Sequence, residues 1–267
     1  IPHAELMQSV ARRISDRHVL ALIKQWLVAA VEEEDGRGRR IRTTRAKDSK
    51  RGIPQGAPIS PLLSNLYMRR FLLGWKTSGL EARLQARIVN FADDFVICCR
   101  GTGEQAMEAM RQMMDRLKLT VNEEKTGRCR IPQAHFDFLG YTFGRCYSTQ
   151  TGRAYIGTRP SKKSIRKVCR TISEVTHRRW LLTDSEDRVV TLNRILVGWA
   201  NYFSLGPVSK AYRAVDCHAS ARLRRWLRTK HKQPGQGTAR FPDEHLYDVL
   251  GLQRLSVRTR DLPWAKA

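Results

Sequence analysis

The stretch Arg87-Ile-Val-Asn-Phe-Ala-Asp-Asp-Phe-Val-Ile-Cys-Cys99, RIVNFADDFVICC, sets two adjacent carboxylates inside an apolar run. Ile88–Val89 and Phe95–Cys99 are strand-like, and Ala92-Asp93-Asp94 between them predicts a β-hairpin with acids at its bend. Carboxylates withdrawn from water are costly unless a cation, a proton or a hydrogen-bond donor compensates them. The pair therefore sits either at an exposed turn or where something positive comes to meet it. A hairpin of this kind is one way to build a divalent-metal site, because Mg²⁺ keeps several waters and needs only one or two carboxylates plus substrate phosphates. Asp residues that merely favour a bend are the plain alternative.

The charge around this acidic spot has the opposite sign. Lys and Arg number 49 against 25 acids, a net charge of +24, with 41% apolar residues to form a core. Such a balance favours a polyanionic partner, nucleic acid first. A membrane partner is not expected, since the longest apolar run, Val19 to Val31, is interrupted by Lys24 and Gln25 and falls short of a span. Six cysteines form no C-x-x-C pair and no zinc-ligand spacing with His, which reads as reduced thiols in an intracellular protein.

Outward from the hairpin, residues 4–31 read as two helices, with Leu6, Met7, Val10 and Ile14 on one apolar face and Val19, Leu20, Ile23, Trp26, Leu27 and Ala30 on the other. Asp16 is the expected N-cap between them. Glu32 to Lys50 reads as loop or β-ribbon. Ser60-Pro61 predicts a helix start, hydroxyl cap followed by proline. Ala106, Met107, Met110, Met113, Met114 and Leu117 mark an amphipathic helix whose methionines belong to the core. LKLTVNEEKTGRCRI follows as loop and strand, FDFLGYTFG as one strand, and YSTQTGRAY as a hairpin turning near Gly152. After Pro160 the character becomes helical and more basic, and 24 of the 49 Lys and Arg lie beyond residue 150 against 9 of the 25 acids. Ser161 is expected to cap a helix with Ile165, Val168, Cys169, Ile172 and Val175 inward and Lys162, Lys163, Arg166, Lys167 and Arg170 outward. Further helices contain Leu192 to Trp199 and Leu223 to Leu227, the last carrying Arg222, Arg224, Arg225, Arg228 and Lys230. Trp180, Trp199 and Trp226 are expected in the core. The predicted class is α+β, with a mixed domain over 1–158 and an all-α domain over 159–267.

GIPQGAPISPLLSNLYM, NFADD, VNEEKT and FDFLGY, in this order, resemble the reverse transcriptases encoded by group II introns. TRPSKKSIRK and LVGWANYF resemble their maturase, or thumb, domain. The resemblance covers nearly the whole chain. It implies a polymerase palm followed by a helical thumb, acting as an RNA-directed DNA polymerase and intron maturase with two Mg²⁺ ions. Its implied partners are structured intron RNA, an RNA template with a DNA primer, and deoxynucleoside triphosphates, in a bacterial cytoplasm or an organelle.

By the same resemblance Asp93 is the principal Mg²⁺ ligand and Asp94 an auxiliary one, with Phe91 and Ala92 completing the aromatic-x-Asp-Asp motif. Pro54, Gln55 and Gly56 match a Pro-Gln-Gly motif lining the template and nucleotide pocket. Glycines at 52 and 56 would let backbone approach nucleic acid closely. Lys125 matches a lysine that helps protonate pyrophosphate, although a solvated or phosphate-contacting lysine is the alternative. FDFLGY matches a segment that supports the primer strand. The basic helices, with Lys162, Lys163, Arg166, Lys167, Arg170, Arg222, Arg224, Arg225, Arg228 and Lys230, would contact RNA phosphates.

In the family the first metal-binding Asp precedes an Ile-x-His sequence, which Ile1-Pro2-His3 matches, so that acid falls upstream of residue 1. The expectation is that this chain alone polymerises little and that a missing N-terminal half completes the site. No endonuclease domain is expected after the thumb. A non-catalytic RNA-binding splicing factor that keeps the fold is the rival reading, and a retron-like or CRISPR-associated enzyme a third.

Overall fold

The computed structural model describes all residues except 35–39, 55, 102, 149–150, 236 and 263–267, with side chains also left aside at a few positions in and around the first ribbon and at 261. Two compact units emerge, Ile1–Arg128 and Cys129–Ala267. The composition shift lies near residue 158, thirty residues later, because a sheet of ordinary composition belongs with the helices that follow it.

The first unit begins with α1 (His3–Ala11) and α2 (Arg17–Val28). Asp16 caps α2 as expected, its carboxylate accepting from the His18 and Val19 amides. Leu6, Val10, Ile23 and Leu27 are buried, whereas Val19 and Trp26 of the predicted apolar face stay exposed. A ribbon of β1 (Val31–Glu34) and β2 (Arg40–Thr43) leads to the short α3 (Arg45–Ser49).

Helix α4 (Ser60–Thr77) organises the unit, because it buries two faces. Leu63 and Tyr67 pack with α1 and α2. Met68, Phe71 and Trp75 pack with α5 (Leu80–Arg83), the hairpin of β3 (Ala86–Phe91) and β4 (Asp94–Cys99), and α6 (Glu104–Arg116). The methionine stripe of α6 is core, with Met110 and Met114 buried. Burying a side chain of this size stabilises by about 1.5–3 kcal/mol, so α4 fixes the hairpin from below. The segment after α6 differs from the sequence expectation: among the described residues Lys118–Ile131 contains turns and no strand. Its alternation is too short to specify a register, and Asn122 takes the Lys125 amide with its own side chain.

The second unit opens with a three-stranded antiparallel sheet, β5 (Phe136–Phe138), β6 (Tyr141–Tyr147) and β7 (Ala154–Pro160). FDFLGYTFG is thus two strands and a turn rather than one strand, since Leu139 and Gly140 both take positive φ, +51° and +79°, which a continuous strand excludes. The β6–β7 hairpin turns at Gly152, φ +66°. Three helices follow, α7 (Lys162–Val175), α8 (Ser185–Tyr202) and α9 (Ser209–Lys230), around one core of Ile172, Leu192, Leu196, Tyr212, Leu223 and their neighbours. Ser161 caps α7, accepting from the Ser164 amide. Trp226 is buried and Trp199 packs against this core, but Trp180 departs from expectation, 36% exposed between the guanidinium groups of Arg179 and Arg188. Beyond α9 the chain returns over this helix, where the buried Asp216 carboxylate accepts from the amides of Leu255 and Ser256.

Candidate active site and basic interface

Strands β3 and β4 pair from Ala86↔Cys99 to Phe91↔Asp94, leaving Ala92-Asp93 as a two-residue loop. The period of two puts Ala86, Ile88, Phe95, Ile97 and Cys99 on the face packed over α4 and α6. Phe95, next to Asp94, lies 5.2 Å from Phe71 ring to ring, and the Trp75 indole N–H donates to the Ala86 carbonyl at 3.5 Å. One end of each strand is therefore anchored, and the bend projects beyond the core.

A positive φ at the first loop residue is required by the tight turns whose twist matches that of the strands. Ala92 supplies it at φ +52°, where glycine would be unstrained. A non-glycine residue in this region costs about 1 kcal/mol, and such strain clusters at functional sites. Asp93 and Asp94 are exposed, and among the described residues neither carboxylate has a hydrogen bond or an ion pair. The pair is solvated rather than compensated, which resolves the cost of placing acids in an apolar run. The outer face beside it carries Val89, 53% exposed, and Phe91, 64% exposed, an apolar surface flanking two free anions. Exposed adjacent carboxylates are hard oxygen donors of the type Mg²⁺ takes, so the donor set fits that ion. Among the described residues no third His, Cys, Asp or Glu joins them into a three-ligand group.

The Pro54–Gly56 loop leads directly into α4. Pro61 stands in the first turn as expected, but Ser60 is not the cap: it is the first helical residue, and its hydroxyl donates to the Pro54 carbonyl at 2.6 Å. The helix start thus ties down the loop before it. Gly52 and Gly56 take φ of +99° and +83°, and space around both is open enough that an added Cβ would meet nothing within 4 Å. Gln55 lies outside the described residues. Lys125 is exposed at the turn after Asn122, and among the described residues no hydrogen bond or ion pair joins it to Asp93 or Asp94. Its neighbour Glu123 pairs with Arg111 of α6 at 2.7 Å, which secures the turn.

The basic residues of the second unit divide in two. On α7, Lys162, Lys163, Arg166, Lys167 and Arg170 are all exposed, and among the described residues only Arg170 of these has an ion pair, a 4.0 Å approach to Glu174. At 1.5 Å per residue, Lys162, Arg166 and Arg170 present charges about 6 Å apart along one side of the helix. Of the five bases expected at RNA on α9, four bind their own protein. Arg222 donates to the Ser173 carbonyl at 2.9 Å and to the Thr176 hydroxyl at 3.1 Å, closing the C-terminal end of α7. Burial, and then the neighbouring Arg225, lower its proton affinity. Arg224 donates to the Phe241 carbonyl at 2.8 Å and pairs with Asp243, Arg228 donates to the Gly235 carbonyl, and the Lys230 ammonium holds the carbonyls of Leu181 and Thr183 at 3.0 and 2.9 Å. Arg225 remains exposed. Arg178 and Arg179, absent from the sequence expectation, add exposed charge just after α7; their signal was an Arg-Arg pair adjoining the basic helix.

Sequence reasoning also missed Tyr202 and Tyr141. The Tyr202 hydroxyl donates to the Leu139 carbonyl at 3.0 Å, and the Tyr141 hydroxyl to the Tyr202 carbonyl at 2.5 Å. A tyrosine where phenylalanine would pack equally well is the available signal, since its hydroxyl usually has a partner when it is partly buried.

Comparison with known proteins agrees with this arrangement. The family described as reverse transcriptase (RNA-dependent DNA polymerase) matches residues 1–143, and the group II intron maturase-specific domain matches residues 165–241. Protein YkfC of Escherichia coli (strain K12) is 30% identical over 198 residues, with 61% of this chain and 49% of that protein covered. The chain thus spans about half the length of this curated relative. No helix among the described residues is long and apolar enough to cross a membrane. With an acid-tipped hairpin over a helix-backed core and a following helical unit of maturase type, the chain belongs to the reverse transcriptase family, in its group II intron reverse transcriptase/maturase branch.

Proposed function

We propose that this chain forms the palm and thumb of a group II intron-type RNA-directed DNA polymerase that also binds its intron RNA as a maturase. The observation that carries this reading is the exposed, unpaired Asp93–Asp94 pair on the tip of a hairpin in a chain of charge +24. A solvated anion pair attracts metal, while the surrounding cations hold the polyanion. Asp93 and Asp94 would hold Mg²⁺, which supplies activation of a 3′-hydroxyl and neutralises charge on a triphosphate. A further carboxylate would complete such a site. Pro54, Gln55 and Gly56 border the template and nucleotide, with Phe91 and Ala92 setting the height of the acids, and Lys125 serves the leaving pyrophosphate. The substrates are deoxynucleoside triphosphates on a primed RNA template. The exposed bases of α7 contact RNA phosphates, joined by Arg225 from α9; Arg222, Arg224, Arg228 and Lys230 act chiefly by shaping the unit that presents them. A bacterial cytoplasm or an organelle suits this work.

The test is Mg²⁺-dependent primer extension on an RNA template, by the chain alone and with a polypeptide supplying the third acid. Asp93→Asn is expected to lower extension by about a hundredfold or more while RNA binding survives. Extension unaffected by Asp93→Asn would refute the assignment of the metal site. RNA binding without any extension would favour a splicing factor that has kept the fold and lost the chemistry.

A further inference from the structure

The loop from His177 to Asp184, between α7 and α8, binds most of its own acceptors. The His177 carbonyl receives the Trp180 amide at 3.0 Å, and the Arg178 carbonyl receives the Leu181 amide at 3.1 Å. The Trp180 carbonyl receives both the amide and the hydroxyl of Thr183, at 3.1 and 2.7 Å. Lys230 reaches in from α9 to take the carbonyls of Leu181 and Thr183. With these carbonyls bound inside the protein, the surface that the loop offers a ligand is dominated by donors and positive charge.

Its cations have no anions. Arg188, early in α8, is only 7% exposed, yet its guanidinium meets no carboxylate. Nη2 donates to the Thr183 hydroxyl at 2.8 Å, Nε is buried without an acceptor, and Nη1 has none among the described residues. A buried cation without a counter-charge is costly. Asp184 is engaged as the cap of α8, accepting from the Ser185 amide at 2.6 Å, and among the described residues Glu186 and Asp187 form no ion pair. Arg178 and Arg179 are exposed and equally unpaired among those residues. Amid these charges lies the Trp180 ring, its centroid 4.8 Å from the Arg188 guanidinium carbon and 5.3 Å from that of Arg179. Arg188 is buried and tied to Thr183, so it fixes the ring; Arg179 is exposed and no hydrogen bond among the described residues holds it, so it can yield its place. Leu182, in the same turn, is 98% exposed. A flat π face, an apolar tip and uncompensated guanidinium groups together match a ligand that is both flat and anionic. A double helix offers phosphates but keeps its base faces stacked, whereas an unpaired nucleotide offers both.

We propose that this loop is the seat of one unpaired nucleotide of the RNA: the base stacks on Trp180 in the place of the Arg179 guanidinium, and Arg178 and Arg179 close on its phosphate. This rests on the reading of the second unit as RNA-binding and adds to it the feature that is recognised. Arg188 supplies positive charge beside the ring and keeps the ring in position for the base. Every base has a π face, so the seat reads the absence of pairing and not the sequence.

The experiment titrates the whole chain, Trp180→Ala and Trp180→Phe with an unstructured single-stranded RNA, a blunt RNA duplex of equal phosphate number and a polyglutamate peptide, with thermal melting alongside. Trp180→Ala is expected to weaken binding of the single strand by about tenfold and of the duplex by less than about twofold, with the salt slope unchanged because no charge is removed. Trp180→Phe, which keeps a ring, should stay close to the unaltered chain. Equal affinity of Trp180→Ala and the unaltered chain for the single strand would overturn the proposal. Equal loss on both RNAs with a lowered melting temperature would also overturn it, making Trp180 a strut of the loop. Polyglutamate bound as tightly as the single strand, and with the same dependence on Trp180, would overturn it in favour of an acidic protein partner. If the unaltered chain binds neither RNA, the RNA-binding reading of the second unit fails, and the seat falls with it.

Discussion

Helices α7 and α9 each carry five of the Lys and Arg residues that the sequence marked for RNA, yet they use them in opposite ways. On α7 the bases stand in solvent, and four of the five have no partner among the described residues. On α9 four of five are bound to backbone carbonyls or an acid of the same unit. The difference follows from position. Helix α7 lies with one stripe, Val168 and Ile172, on the core, so its wide polar face is free. Helix α9 is packed along most of its length, with Ala211, Tyr212, Val215, Ala219, Leu223, Trp226 and Leu227 buried. Its long basic side chains therefore run along packed surface and end at helix termini and loops, where unpaired carbonyls await donors. Toward the C-terminal end of the crowded helix α9 most bases are spent on structure, whereas those on α7, with one buried stripe, stand in solvent.

The strongest attempt to break this contrast removes the α7 charges together. Replacing Lys162, Lys163, Arg166 and Lys167 by Ala is expected to weaken RNA binding by about a hundredfold near physiological salt and to lower the salt slope by about three. The melting temperature should change little, since exposed substitutions contribute within about 0.5 kcal/mol. Filter binding over a salt series with parallel melting checks both. Unchanged RNA affinity would remove α7 from the interface.

The mirror-image result is expected for Arg222→Ala. The Ser173 carbonyl and Thr176 hydroxyl lose their donor at the end of α7, a loss of about 1–2 kcal/mol in stability, or a few degrees in melting temperature. The salt slope of RNA binding should stay as it is. A reduced slope with unchanged melting would mean that Arg222 releases its internal partners to meet RNA. Arg225→Ala sharpens the comparison with the smallest effect. As an exposed base of α9 it should cost about threefold in RNA affinity and less than one unit of slope, with no change in melting.

The same distinction separates what was legible at the candidate site from what was not. The hairpin, its bend and its acids followed from alternation around Ala92-Asp93-Asp94, because strand period and turn position are local properties. Asp16 and Ser161 were legible as caps for the same reason. Ser60 was not: it looks like a cap, but its hydroxyl reaches back to the Pro54 carbonyl once the chain has turned. FDFLGY looked like one strand because Leu139 is a residue that strands accept, and its positive φ belongs to the tight turn that forms once β5 pairs back on β6.

The sequence by itself determined the α+β class, the main helices, the acidic hairpin and the excess of positive charge, since periodicity, capping chemistry and net charge are carried by neighbours along the chain. Its ordered motifs also sufficed to indicate the family that comparison then established. Only the tertiary structure decided which bases remain free, which face of α4 seats the hairpin, and which group meets the Leu139 carbonyl. Each of those depends on a partner tens of residues away, a carbonyl for Arg222, a ring for Phe95, a hydroxyl for Leu139, and folding alone brings such partners within reach.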